Sequence, residues 1–250
     1  MLLQLDYKTK MNKQNGKTGR VYLIPSTLGD MAPLEVLPIS IKQTIEQLDY
    51  YVVENEKTAR HFIKKISPRK SQPSLKLSVL NKFTEPQEIP GFLNPCLEGY
   101  DVGILSEAGC PGIADPGAAV VKIAHEKNIQ VIPMVGPSSI LLALMSSGMN
   151  GQNFAFNGYL PIDSSERKKY IKNLERKSKE DNQSQVFIET PYRNNKMLEE
   201  LIKSLAPSTR ICVAADITLP TEYIKTKTAI NWKRENVDLH KRPAIFIIQA

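Results

Sequence analysis

Hydrophobic positions fall into short strand-like runs separated by amphipathic stretches. The run at 20–25, Arg-Val-Tyr-Leu-Ile-Pro, reads as a buried strand that leads into a turn containing Gly29. The spacing then predicts a helix over 39–48, a strand over 50–53, a helix over 54–66, strands over 75–80 and 102–105, a helix over 116–127, a strand over 129–133 and a helix over 137–147. Alternation of this kind implies a parallel sheet covered by helices. Beyond a small-residue patch at 146–151 come a strand over 154–159, a helix over 165–176 entered through Asp163 or Ser164 as N-cap, a strand over 185–188 and a helix over 194–205. Long helices then stop. The β-rich segments 209–214, 222–228 and 244–248 imply a mixed sheet with antiparallel pairs. The expected fold class is α/β: two α/β domains, a mostly parallel N-terminal sheet over 20–134 and a mixed C-terminal sheet over 135–250. A polar leader over 1–19, with Lys8, Lys10, Lys13 and Lys17, precedes them.

Composition adds that this chain folds: of 250 residues, 41% are hydrophobic and 24% charged, far from the balance that keeps chains disordered. The longest apolar run, 140–145, falls well short of the roughly 20 residues that cross a bilayer. With no apolar signal core at the N-terminus, the chain reads as neither membrane-spanning nor secreted, and cytoplasm is the default location. Three scattered cysteines and three histidines show no ligand spacing, so neither a disulfide framework nor a metal site is expected.

The net charge of +7 is concentrated. Between Lys57 and Lys82 lie eight basic residues (Lys57, Arg60, Lys64, Lys65, Arg69, Lys70, Lys76, Lys82) and no Asp or Glu. Such a run is most often a solvated face, but the lack of any acidic partner strengthens the case for a phosphate-rich ligand. The stretch 164–181 mixes seven basic with four acidic residues, as exposed helices with i,i+4 pairs do, and carries no functional weight.

The densest chemical signal is 103–117, with four glycines and two prolines directly after a strand. Such a loop lets backbone approach a ligand closely, at the strand end where open α/β sheets bind ligands, and Asp115-Pro116 reads as a helix start. It is neither a dinucleotide fingerprint nor a P-loop. On its own it could equally be an elaborate turn. Two further corners follow, Val135-Gly-Pro-Ser138 and Gly158-Tyr-Leu-Pro161. Cys110 reads as a small packing residue, and Trp232 as packing for the last sheet, with base stacking as an alternative given Lys233 and Arg234.

These corners, in this order, resemble the tetrapyrrole methylase family of S-adenosylmethionine-dependent methyltransferases, over roughly 20–250. The resemblance is closest to the branch that methylates a ribose 2′-oxygen of small-subunit ribosomal RNA. Leu23-Ile-Pro-Ser-Thr-Leu-Gly-Asp30 is similar to that branch's opening turn, and Glu54-Asn-Glu-Lys57 to its E-D-T-R with Lys in place of Arg. Ser106-Glu-Ala-Gly-Cys-Pro111 with Asp115-Pro-Gly117 resembles S-D-A-G-T-P followed by D-P-G. Gly136-Pro-Ser138, Gly158-Tyr-Leu-Pro161, Glu189-Thr-Pro-Tyr-Arg193 and Asp216-Ile-Thr218 with Glu222 continue the match, with Ala215 in place of an Arg. Where the branch carries a His/Asn-rich loop, this chain has Leu80-Asn-Lys-Phe-Thr84.

The resemblance implies S-adenosylmethionine in a cleft between the two domains. It would be lined by Ser106, Glu107, Ala108, Gly109, Ile113, Ala114 and Ser138 from the first part and closed by Thr190, Ile217 and Ala244 from the second. Glu54 and Glu189 are then the candidate bases for a sugar hydroxyl, with a Glu54–Lys57 surface pair and a structural Glu189–Arg193 ion pair as the alternative readings. Lys57 and Arg193, extended by Lys64, Lys65, Arg69 and Lys70, would hold RNA phosphates. The implied partners are small-subunit ribosomal RNA or its particle and a second copy of the chain. Two alternatives stay open: a small-molecule methyltransferase acting on a tetrapyrrole-like carbon acid, and an RNA-binding assembly protein whose chemistry has weakened.

Overall fold

The computed structural model describes residues 17–115 and 117–250, so most of the polar leader, with Lys8, Lys10 and Lys13, and the expected helix-starting Pro116 lie outside the described residues. Among the described residues no helix is long and apolar enough to cross a membrane. The chain divides into two compact units, the first ending at Pro137 and the second running from Ser138 to Ala250.

In the first unit, β1 (Val21–Ile24), β2 (Tyr50–Val53), β3 (Lys76–Val79), β4 (Val102–Leu105) and β5 (Val131–Pro133) form one sheet in the order β3-β2-β4-β1-β5. Every pairing in it is parallel. The helices are α1 (Ile39–Gln47), α2 (Glu56–Ile66), the short α3 (Asn94–Leu97) and α4 (Ala118–Glu126). Alternate strand residues feed two cores: Ile24, Tyr51 and Val53 pack with Ile41, Ile45 and Ile63, while Val21, Val52 and Ile104 pack with Leu93 and Val120. Burial on both faces is why these strands read as continuous apolar runs. A Cβ on Gly103 would lie 2.7 Å from Ile24 and 2.9 Å from Tyr51, so this strand position admits no side chain.

Four helix starts shift by one or two residues from the sequence expectation, and those of α2 and α4 matter for the site. Helix α2 begins at Glu56, because the Asn55 side chain caps it by accepting from the main-chain N–H groups of Lys57 (2.9 Å) and Thr58 (3.2 Å). Glu54 is therefore left at the strand end. Helix α4 begins at Ala118 with Gly117 at the cap position and no side-chain cap bond, so Asp115 is not the capping residue.

The second unit opens with α5 (Ser139–Ser147), capped by the Ser138 hydroxyl, which accepts from Leu141 N–H at 3.4 Å. Its strands are β6 (Phe154–Tyr159), β7 (Ser184–Ile188), β8 (Arg210–Ala215), β9 (Tyr223–Thr228) and β10 (Ala244–Gln249). They lie in the order β6-β7-β10-β8-β9, with only β6–β7 parallel. Helices α6 (Ser164–Asp181), α7 (Asn194–Ser204) and α8 (Ala229–Trp232) complete it. Asp163 caps α6 by accepting from Glu166 N–H at 2.9 Å. This helix outruns its expected end at 176, with an Arg176–Glu180 pair (2.5 Å) along its last turn, until Asn182 turns left-handed at φ 47°. Trp232 is 1% exposed and donates its indole N–H to Ile211 O at 2.9 Å, so it packs the last sheet and offers no stacking face.

Candidate active site at the carboxyl ends of the first sheet

A parallel sheet brings the carboxyl ends of all its strands to one edge, the edge where open α/β sheets bind ligands. There β2 delivers Glu54, β3 delivers Leu80 and β4 delivers Ser106, and with Pro111, Gly112 and Asp115 they line one pocket. Glu54 Oε1 accepts from the main-chain N–H of Glu107 at 3.3 Å. The Glu107 carboxylate in turn accepts from Thr58 Oγ1 at 3.0 Å, which ties the loop to the first turn of α2.

Glu54 and Asp115 thus share one pocket, and Glu107 lines a second one with Glu54. Burial, and then the charges of Glu54 and Glu107, push the Asp115 carboxyl up to about 6. Burial also raises Glu54; the Glu107 N–H opposes that rise and the Glu107 charge adds to it. A pocket with one poised proton and excess negative potential can accept a proton from a substrate hydroxyl or favour a cation.

The glycine-rich loop is built around the Gly109 carbonyl, which accepts from Ser26 N–H and from Ser106 Oγ, both at 3.0 Å. Gly109 has φ +73°, and a Cβ there would lie 3.1 Å from Leu28 and 3.3 Å from Pro137 O. Ala114 also sits in the left-handed region at φ 63°, a strained setting for a residue with a Cβ. Glu107, Ala108, Ile113 and Ala114 are exposed. The Ser26 hydroxyl is buried without a hydrogen-bond partner. Cys110 is partly buried with its thiol 3.4 Å from Pro137 O, consistent with a packing role.

The basic run is less free than the sequence suggests. Arg60 pairs with Glu56 (2.7 Å), Lys65 with Asp30, and Lys70 with Asp49 (2.8 Å). The Lys70 side chain is only 9% exposed and also donates to Glu46 O, so it serves the fold rather than a ligand. Lys64 donates to Pro68 O at 2.7 Å. No ion pair is formed by Lys57, Lys64 or Arg69 among the described residues, and Lys57 makes none with Glu54.

In the second unit, Glu189 and Arg193, expected as a base and a phosphate contact, are partners of each other. Glu189 Oε1 accepts from Arg193 Nη2 (2.6 Å), Arg193 Nε (3.0 Å) and Thr190 N–H (2.6 Å), and the Glu189 side chain is 2% exposed. Arg193 also donates to Thr190 Oγ1 at 3.2 Å. Ile217 is buried between two left-handed residues, Asp216 (φ 51°) and Thr218 (φ 73°). Arg242 braces that turn through Asp216 at 2.7 Å. Ala244 is buried at the start of β10, in register with Ala215.

Sequence reading missed Asp115, Asn55 and Thr58 as members of the first-unit cluster. Asp115 carried a signal, its place in the glycine-rich loop, but the following Pro made it look like a cap. The other two follow a motif Glu and became visible only with the helix start.

The model of a family described as Tetrapyrrole (Corrin/Porphyrin) Methylases matches residues 37–230. A Buchnera aphidicola (subsp. Schizaphis graminum) protein named ribosomal RNA small subunit methyltransferase I is 27% identical over 95% of this chain and 80% of its own length. The Escherichia coli O157:H7 protein of the same name is 24% identical over 93% of this chain and 78% of its own. Among solved structures, the methyltransferase CobJ has a similar fold, with a TM-score of 0.61 at 16% identity over 93% of this chain and 94% of the other. So does a Thermus thermophilus uroporphyrin-III C-methyltransferase complexed with S-adenosylhomocysteine, at a TM-score of 0.53 and 16% identity over 92% and 97% of the two chains.

Proposed function

Because the chain belongs to the tetrapyrrole methylase family of S-adenosylmethionine-dependent methyltransferases, we propose that it methylates a ribose 2′-hydroxyl of small-subunit ribosomal RNA. The names of its relatives over nearly its whole length support this substrate. The observation that carries the mechanism is the Glu54 carboxylate, held at the end of β2 by the Glu107 N–H and raised by burial. A sugar hydroxyl is a weak nucleophile, so a positioned base of raised basicity assists its attack. Glu54 takes the hydroxyl proton.

The first unit's loop fits the family's methyl donor. The exposed residues Glu107, Ala108, Ile113 and Ala114 and the unpartnered Ser26 hydroxyl border the loop, and Glu54, Glu107 and Asp115 supply charge for a cation. S-adenosylmethionine, when bound, supplies an electrophilic methyl group on a cationic sulfonium. Gly109 and Ser106 hold the loop open for it, and the remaining catalysis is alignment. Lys57, Lys64 and Arg69 neutralise flanking phosphates. We also propose that the protein is a homodimer acting in the cytoplasm; the exposed Leu141 and Met145, one turn apart on α5, support a self-association face.

Radiolabelled S-adenosylmethionine offered together with deproteinised small-subunit RNA, assembled particles and a porphyrinogen tests this reading. Label in RNA as an alkali-resistant 2′-O-methylated dinucleotide is expected. Label in the macrocycle alone overturns the substrate, and label in nothing, with the donor still bound, favours an RNA-binding protein with lost chemistry.

A further inference from the structure

Phe83 is 78% exposed, on the turn that follows β3. The turn is closed by Thr84 N–H to Asn81 O (3.0 Å) and fixed by Phe83 N–H to the Asn81 side chain (2.9 Å) and Thr84 Oγ1 to Val79 O (3.1 Å). Phe83 holds the third of four turn positions, where small or polar residues are usual, so neither the turn nor the core asks for a phenyl ring there. Lys82 Nζ stands 4.9 Å from the centre of that ring.

The place of this turn gives the ring a purpose. Val53 and Val79 are in register, so Glu54 and Leu80 leave the sheet side by side. Leu80 donates its N–H to Val53 O at 2.8 Å and lines the same pocket as Glu54 and Asp115. The exposed ring therefore lies three residues from a wall of the reaction pocket.

We infer that Phe83, with Lys82 beside it, is a stacking platform for an unpaired nucleobase of the substrate RNA next to the ribose presented to Glu54. The inference rests on the RNA reading above and deepens it. A lone flat ring with a cation at its side suits a nucleobase, since every base has a π-face and unpaired RNA is read largely by stacking on aromatics. A protein partner would need a contiguous apolar patch, whereas Phe83 is flanked by exposed Lys82, Glu85, Gln87 and Glu88. Glu85 and Glu88 repel phosphate on that side, which leaves the base as the part of the nucleotide that meets the ring.

The test compares wild type with Phe83→Ala, Phe83→Leu and Phe83→Trp in binding to fluorescent single-stranded fragments that tile small-subunit ribosomal RNA. S-adenosylmethionine affinity, measured calorimetrically, serves as the check on folding. Phe83→Ala and Phe83→Leu should each weaken RNA binding about 10-fold, while Phe83→Trp stays within about 2-fold and its added fluorescence is quenched by RNA. Donor affinity should not move in any of them. Wild-type RNA affinity in Phe83→Ala, or full rescue by Leu, overturns the platform while leaving the RNA reading intact. Loss of turnover on assembled particles but not on deproteinised RNA makes the ring a protein contact and also overturns it. A wild-type protein that binds the donor but neither binds nor methylates RNA overturns both readings.

Discussion

The main-chain N–H of Glu107 donates to the Glu54 carboxylate at 3.3 Å, joining residues 53 positions apart in sequence. The bond ties the end of β2, which carries the proposed base, to the glycine-rich loop after β4. Replacing Glu54 by Gln keeps an acceptor for that N–H but removes the basicity. Glu54→Gln should lower single-turnover methyl transfer about 10²–10⁴-fold while leaving donor affinity within about 3-fold, as rapid-quench assays and calorimetry would show.

Asp115 makes the pocket sensitive to pH. Its folded pKa of about 6 lies above the ordinary carboxyl value of 3.8, so the folded state holds a proton that the unfolded state has lost between those two values. Asp115 therefore destabilises the fold as pH rises from about 4 to 6, and fully so above that. Asp115→Asn should raise the free energy of unfolding at pH 8 by about 1 kcal/mol, discounted for the solvent that reaches the group, and leave it little changed at pH 4, as urea unfolding would show.

The same proton bears on the donor. A cationic ligand binds best when Asp115 is ionised, so S-adenosylmethionine should bind more weakly at pH 5 than at pH 7, and Asp115→Asn should flatten that pH profile. Calorimetry in buffers of different ionisation enthalpy would also detect release of a proton on binding near pH 6.

Gly109 is the tightest point of the loop. Gly109→Ala demands a Cβ at φ +73° and 3.1 Å from Leu28, and should destabilise by about 1–2 kcal/mol. Gly109→Arg should abolish donor binding while circular dichroism still reports the α/β fold.

The Glu189–Arg193 pair should behave as a structural unit. Arg193→Ala strands a carboxylate that is 2% exposed and should destabilise by about 2–3 kcal/mol, less than for a fully buried pair because the Arg is 35% exposed. Adding Glu189→Gln should recover much of that loss, a coupling that urea unfolding of the four-member cycle would read.

The cations should separate by partner. Reversing Lys57, Lys64 and Arg69 together to Glu should weaken RNA binding and flatten its dependence on salt, by roughly 0.7 in the log–log slope per lost phosphate contact. Lys70→Ala should instead lower thermal stability with RNA affinity unchanged, since Lys70 is held by Asp49 and Glu46 O.

Much of the fold was legible because both sheets follow simple patterns: short apolar runs doubly buried in the parallel sheet, and late strands without intervening long helices. Element ends were less legible. Asn55 and Asn182 decide where α2 starts and α6 stops, and each acts through a cap or a left-handed turn that periodicity does not register. The resemblance singled out Glu54, but its company came from the sheet, which sets Asp115 against it across more than 60 residues of sequence. The acid-free appearance of the basic run was an effect of reading along the chain, since Asp30 and Asp49 reach it from other elements.

The placement of β10 bears on how the second unit folds. Strand β10 is the middle strand of the second sheet, inserted between β7 and β8. A polypeptide that stops before Ala244 holds a β6–β7 ladder and a β8–β9 ladder with nothing to join them. Each would expose a bare hydrogen-bonding edge and the apolar faces that Phe246 and Ile248 should cover. The second sheet is therefore complete only once β10 is seated, and a product truncated before it would be a ready target for proteolysis rather than a half-active enzyme.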